Sequence, residues 1–196
     1  LGPYRMTAFL GGGGMGEGFA AEHMDLAHRV AIKKLRNHLV DQKEAVNAFF
    51  HEARAANLIG HPNIVDVLDF VHQPRVAYMV MELLEGEDLA KRLKRTKTVS
   101  PRETLVVARQ ITSALAAAHK KGLIHLDVKP SNIFLCTEQE KAGQKSTESA
   151  IKPRLRAKLL DFGVCRLGKE KEQRAKEQHT EKTVQRAGTP AYMAPE

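Results

Sequence analysis

Apolar residues recur along the chain in two rhythms, and the changes of rhythm divide it. Over residues 4–35 short apolar runs alternate with turn residues. Phe9-Leu10 leads into a run of glycines, and Phe19-Ala20-Ala21-Glu22-His23 leads out of it. Asp25-Leu26-Ala27-His28 makes a turn before Arg29-Val30-Ala31-Ile32-Lys33-Lys34-Leu35. Runs of this length bounded by turns predict three strands. From 41 to 59 the rhythm becomes helical, with Ala45, Phe49, Ala53 and Ala56 in one stripe and Gly60 as the stop. His61-Pro62 prevents the helix from resuming, because proline disfavours helix at the residue before it. Val65–Phe70 and Val76–Met81 then read as strands, with Gln73-Pro74 in the turn between them.

The second half is built differently. Asp88 to Leu93 predicts a short helix. Ser100-Pro101-Arg102-Glu103 has the form of a capping box with proline in the first helical position. The helix it starts carries Leu105, Ala108, Ile111, Leu115 and His119, and ends at Gly122. Ile133-Phe134-Leu135 and Lys158-Leu159-Leu160 predict a pair of strands, separated by the polar, basic segment 136–158. Connections above about 12–15 residues are usually functional or disordered, and disorder is the expectation here. A second charged segment, 166–187, interleaves Lys and Arg with Glu.

Composition changes this picture little. The chain has 196 residues, 42% hydrophobic and 28% charged, which fits one domain or one small two-lobed unit. Its net charge of +8 would suit a nucleic-acid binder. Much of the excess, however, lies in segments 141–158 and 166–186, with no recognition motif or stacking aromatics, so no nucleic-acid partner is expected. Cys136 and Cys165 stand far apart outside any CxxC pattern, which fits a reducing, cytoplasmic setting rather than a disulfide or zinc framework. The nine histidines show no metal-ligand spacing. No apolar run approaches the roughly 18 residues of a membrane-spanning helix, and no signal peptide is visible.

The chemistry concentrates after the long helix, in His125-Leu126-Asp127-Val128-Lys129-Pro130-Ser131-Asn132. An Asp, a Lys two residues on and an Asn three further can converge on one loop. They offer a proton acceptor, a fixed cation and an oxygen ligand for a metal. Phosphoryl transfer needs these parts, because its catalysis is mostly positioning and charge neutralisation.

This loop resembles the catalytic loop of eukaryotic-type (Hanks-type) protein kinases. The other motifs of that family stand in order around it. Upstream are Leu10-Gly11-Gly12-Gly13-Gly14-Met15-Gly16, Val30-Ala31-Ile32-Lys33, Glu52 and His61-Pro62-Asn63-Ile64-Val65. Downstream are Asp161-Phe162-Gly163 and Ala194-Pro195-Glu196. The Leu10–Glu22 and Glu82–Leu89 stretches look most like bacterial members. Lys129 together with Gly188-Thr189 looks like the serine/threonine-specific branch.

The resemblance implies an α+β, two-lobed fold. Residues 1–84 would form a small lobe of antiparallel sheet plus the Glu52 helix, and 85–196 a helical lobe. It implies transfer of phosphate from ATP, with Mg²⁺, to a protein hydroxyl, with self-phosphorylation included. Asp127 would accept the hydroxyl proton and Lys129 would steady the γ-phosphate, while Asn132 and Asp161 would hold Mg²⁺. Gly11, Gly13 and Gly16 would cover the phosphates with Met15 at the tip. Lys33 would meet the α- and β-phosphates, positioned by Glu52, which taken alone is only a solvated helix carboxylate. Leu10, Gly18, Val30-Ala31, Met81, Leu84, Phe134 and Leu135 would line the adenine slot, with backbone groups of Glu82 and Leu84 as its hydrogen-bonding edge. Taken alone these are core residues. Thr180, Thr183 and Thr189 are the hydroxyls of the segment in the activation-loop position.

Three departures from the family pattern bear on function. Leu126 replaces the usual Arg that pairs with a phosphorylated activation loop. Gly18 replaces the usual Val over adenine, removing a contact of roughly 1.5–3 kcal/mol when fully buried. The chain stops at Glu196, where the family continues into further helices, so the second lobe is expected to be incomplete. The alternative reading is a weak or inactive, pseudokinase-like fragment that binds nucleotide or a protein partner.

Overall fold

The computed structural model describes residues 1–137, 155–161, 166–167 and 189–193. The expected disorder of the 136–158 connection falls largely outside those residues. So do Phe162-Gly163, Thr180, Thr183 and Ala194-Pro195-Glu196.

The first 82 residues build a five-stranded sheet in the order β1-β2-β3-β5-β4, with every neighbouring pair antiparallel. Its strands are β1 (Tyr4–Gly12), β2 (Gly16–His23), β3 (Arg29–Leu35), β4 (Val67–Gln73) and β5 (Val76–Glu82). Side chains alternate across a strand, so β3 serves two cores. Val30 and Ile32 join Ala21, Tyr78 and Val80 on one face. Leu35 joins the main core on the other face, against α1 (Lys43–Ile59). The helix ends at Gly60, whose left-handed backbone (φ 58°) lets its N–H reach the Ala56 carbonyl.

β4 begins two residues later than the apolar pattern predicts, and the reason is competition for backbone hydrogen bonds. Val65 donates its N–H to Leu159, and Leu159 donates its own to Asn63. Residues 63–65 are thus taken by a strand nearly a hundred positions downstream and cannot also join β5.

Beyond the sheet, Asp88 caps α2 (Leu89–Thr96) by accepting the Lys91 N–H. A full capping box at Ser100 and Glu103 starts α3 (Pro101–Lys120), a device that contributes about 1 kcal/mol. The stripe expected along α3 is only partly right. Leu105 is 71% exposed, Ala108 and His119 also face out, and the buried line is Val107, Ile111, Ala114 and Ala118. Helical spacing fits either set. Packing of the helix on a small sheet decides between them.

That sheet is β6-β8-β9: Gly86–Asp88, Ile133–Cys136 and Arg156–Leu159. The β8–β9 pairing follows the expectation, with Ile133 opposite Leu159. β6, three residues long, has no periodicity by which to be foreseen. A last pair joins β7 (Leu123–Ile124) to β10 (Arg166–Leu167). Gln110 of α3 holds the edge of β9: its amide donates to Leu155 O at 2.9 Å and its oxygen accepts Ala157 N–H at 2.9 Å. Among the described residues, no helix is long and apolar enough to cross a membrane.

Candidate active site

The register of β3 puts Ala31, Lys33 and Leu35 on the α1 side of the sheet. On α1, Glu52 lies in the buried stripe with Phe49, Ala53 and Ala56, so it is carried to that same face. The Lys33 ammonium sits 2.6 Å from Glu52 Oε1 and 2.8 Å from Asp161 Oδ1. Glu52 is therefore no solvated surface carboxylate, since its side chain is 8% exposed.

One cation between two carboxylates sets their protonation. Shielding from water works against the Lys33 charge, but Glu52 and Asp161 outweigh it and hold Lys33 above the usual lysine range. Burial pushes Glu52 up to about 7, against the pull of Lys33. Asp161 goes the other way. Shielding opposes its ionisation, yet the Lys33 charge and hydrogen bond keep it below the usual carboxylate range. Its side chain is 50% exposed, so this carboxylate also meets water and has surface free for a ligand. Asp161 takes a left-handed backbone (φ 55°), a conformation that costs a non-glycine residue about 1–3 kcal/mol.

The second group of side chains is local. His125 is buried, and its Nε2 meets Leu160 O at 2.9 Å while its Nδ1 accepts Asp127 N–H at 3.3 Å. That pattern requires the neutral ring, and burial holds its pKa below the ordinary value. The ring thereby couples the loop to the residue preceding Asp161. Leu126 turns through the left-handed region (φ 65°), with its side chain partly exposed. Asp127 is surrounded by donors. Oδ1 accepts from Thr189 Oγ1 at 2.6 Å, and Oδ2 from Lys129 Nζ at 2.8 Å and Asn132 Nδ2 at 3.2 Å. Lys129 also donates to Thr189 at 2.7 Å, and Asn132 Nδ2 to Asp127 O at 2.9 Å. Burial alone would raise the Asp127 pKa, but the bonds from Lys129 and Thr189 outweigh it and lower it.

Across the sheet, Gly18 stands opposite both Gly11 and Lys33, and Ala31 stands opposite Met81. Opposite residues share a face, so Gly18, Lys33, Ala31 and Met81 line one surface. Val30 does not belong to it: strand alternation turns it to the far side of the sheet. Leu135 is likewise a core side chain, whereas Phe134 and Leu84 are half-buried and Leu10 is exposed. A Cβ on Gly16 would lie 2.8 Å from Lys34 O, so this glycine is demanded by close strand approach. Gly11 has φ 150°, while a Cβ on Gly13 would meet nothing. The turn closes on itself, Gly13 N–H donating to Gly16 O, and Arg36 Nε holds Gly13 O at 3.0 Å. Met15, expected at the tip, packs its side chain inward against the main core.

Two participants take roles that the sequence did not assign. Thr189, expected as an activation-segment hydroxyl and part of the serine/threonine pattern, bridges Asp127 and Lys129. Lys158 contacts Glu82, which sequence reading selected only for its backbone. Nothing in the apolar run Lys158-Leu159-Leu160 marks it.

Among known proteins, the sequence profile of the protein kinase domain matches residues 4–196. The chain is 37% identical, over its full length, to the serine/threonine-protein kinase Pkn1 of Myxococcus xanthus, of which it covers 25%. It is 37% identical over 68% of its length to the serine/threonine-protein kinase PrkC of Bacillus subtilis, covering 21% of that protein. It is 36% identical over 84% of its length to the serine/threonine-protein kinase PknA of Mycobacterium tuberculosis, covering 36%. The chain thus spans a fifth to about a third of these curated relatives.

Proposed function

The chain belongs to the protein kinase domain family, and on that premise we propose that it transfers the γ-phosphoryl group of ATP, with Mg²⁺, to serine or threonine hydroxyls of proteins, its own included. The observation that carries this reading is the meeting of two charge groups. Lys33, Glu52 and Asp161 come from three distant elements, and Lys129, Asn132 and Thr189 surround the Asp127 carboxylate, with His125 and Leu160 linking the groups.

The donor set suits magnesium. Asn132 uses its amide nitrogen on Asp127, which leaves its oxygen as the group available to a cation, and the Asp161 carboxylate is half open to water. Among the described residues no three His, Cys, Asp or Glu side chains form a metal cluster. Mg²⁺ is commonly held by one or two protein ligands together with phosphate and water. When bound, the ion would neutralise charge on the phosphate oxygens.

The chain's own residues do the rest. Lys33, fixed by Glu52, presents a permanent cation to the phosphates. Lys129 supplies a second cation beside the acceptor hydroxyl. Asp127, ionised well below neutral pH, orients that hydroxyl and accepts its proton as the bond to the γ-phosphorus forms and the bond from that phosphorus to the bridging oxygen breaks, releasing ADP. The surface of Ala31, Met81 and Gly18 takes the adenine, with the backbone at Glu82 and Leu84 along its edge. Residues 1–84 and 85–196 are the two lobes between which the nucleotide lies.

Transfer of labelled phosphate from ATP with Mg²⁺ to the chain itself and to a generic basic protein tests this. Asp161→Ala is expected to lower transfer by about 10³-fold or more. Equal transfer by the variant would overturn the assignment. A second reading, a nucleotide- or protein-binding module without turnover, draws on Leu126, which offers no charge to a phosphorylated segment. ATP binding without transfer in the unaltered chain would favour it.

A further inference from the structure

β9 carries one charged side chain into the interior. Lys158 is only 4% exposed, in a strand whose neighbours Ala157 and Leu159 are core residues. Its ammonium donates to Ile64 O at 3.1 Å and to Glu82 Oε1. That same carboxylate oxygen accepts the Asp66 N–H at 2.8 Å, and Glu82 N–H donates to Asp66 O at 3.1 Å. The Asp66 carboxylate lies at 4.0 Å and points largely to solvent. Glu82 is the last residue of β5, and the chain leaves it directly into Leu83–Glu85 and β6.

A core strand gains nothing from a buried ammonium, which is costly to strip of water unless fully partnered. Here the charged partner, Glu82, opens the connection that passes the adenine surface. Lys158 and the Asp66 backbone fix Glu82 at one end. The other end is fixed by contact: a Cβ on Gly86 would lie 2.0 Å from Leu135 O, so β6 lies backbone to backbone on β8. Glu85 O also accepts Thr137 N–H at 2.9 Å. Between Glu82 and the held Glu85 stand only Leu83 and Leu84.

We propose that Lys158 is a positioning residue for nucleotide. By holding the Glu82 carboxylate inward it sets the backbone from Glu82 to Leu84 in the geometry that meets an adenine edge. This rests on the kinase reading above. It predicts that Lys158 governs nucleotide affinity and leaves the chemical step alone, since Lys158 touches neither charge group of the site.

The test uses the full chain and ATP, with both binding and phosphate transfer measured. Lys158→Met keeps the volume and removes the ammonium. It is expected to raise KM and Kd for ATP about tenfold while kcat stays within about twofold. Removing both charges, in Lys158→Met with Glu82→Gln, is expected to return KM to within about threefold of the starting value. Glu82→Gln alone, which keeps a hydrogen-bond acceptor and guards against a Lys158→Met chain that does not fold, should raise KM about threefold. ATP binding that ignores these substitutions overturns this inference and leaves the kinase reading standing. So does a parallel loss of kcat and affinity that the double variant fails to rescue, which is the mark of a merely structural residue. Failure of the unaltered chain to bind ATP overturns both.

Discussion

The two charge groups of the site are assembled in opposite ways. Asp127, Lys129 and Asn132 lie within six positions of one another on a single loop. Lys33 meets Glu52 across 19 positions and Asp161 across 128. The local group is rich in donors around one carboxylate, so Asp127 is driven down. In the long-range group two carboxylates share one cation, and burial drives one of them, Glu52, up to about 7 against the pull of Lys33. Spacing along the chain therefore brings Asp127, Lys129 and Asn132 together, with Thr189 joining them from 62 positions away, whereas the second group depends on the packing of α1 and β9 against the sheet.

The sharpest break of this contrast is Lys33→Met. It leaves Glu52 buried beside Asp161 with no cation, and removal of one partner from such a pair costs about 3 kcal/mol or more. Both a lower unfolding midpoint and an approximately 10³-fold loss of transfer are expected. A loss of transfer with stability unchanged would show the long-range group to be catalytic only, contributing nothing to the fold.

Next in size is the response to pH. Glu52 binds its proton more tightly folded than unfolded, so the stability contributed by its neutral form is complete below the ordinary value of 4.5 and is lost as pH rises through about 7. Relative to Glu52→Gln, the unaltered chain should lose on the order of 2 kcal/mol of unfolding free energy across that window. Denaturant melts at several pH values measure this, and parallel curves for the two chains would contradict it. The local group should behave oppositely. Thr189→Val removes the donor on Asp127 Oδ1, so the Asp127 pKa rises and the acid limb of the activity profile moves to higher pH, with transfer reduced about tenfold.

The smallest expected effect lies outside both groups. A Cβ at Gly18 would meet Gly11 O at 3.5 Å and Leu10 Cβ at 3.7 Å, which are ordinary contacts. Gly18→Val should therefore fit and lower Kd for ATP by up to about tenfold, leaving kcat unchanged. Titration of ATP against both chains checks it.

The sequence was most readable where a residue's role is set by its neighbours in the chain. The capping box at Ser100, the Gly60 stop and the strand-turn-strand start all form where local pattern puts them. The pairing of Lys33 with Glu52 was legible through motif order, and the structure brings Asp161 to the same lysine. What local pattern leaves undecided is the choice among equivalent faces. α3 buries Val107, Ala114 and Ala118 rather than Leu105 and Ala108. β4 gives up Val65 to Leu159, and Lys158 points into the protein. In each case the deciding partner lies far along the chain, where no spacing rule reaches.

Asn63 gives this distance a history. Its side-chain nitrogen donates to Gln110 Oε1 and to Ala157 O, both at 2.7 Å, and so joins three segments at one atom. On the ribosome the five-stranded sheet is complete in sequence by residue 82, and its antiparallel neighbours can pair at once. Asn63 must wait for Gln110 and then for Ala157, and Lys33 waits longer still for Asp161. Contacts of such separation form slowly, because chain entropy is lost before they reward it. A nascent chain arrested before the last of these arrives would hold a folded sheet with a lysine and a glutamate in place and no working site.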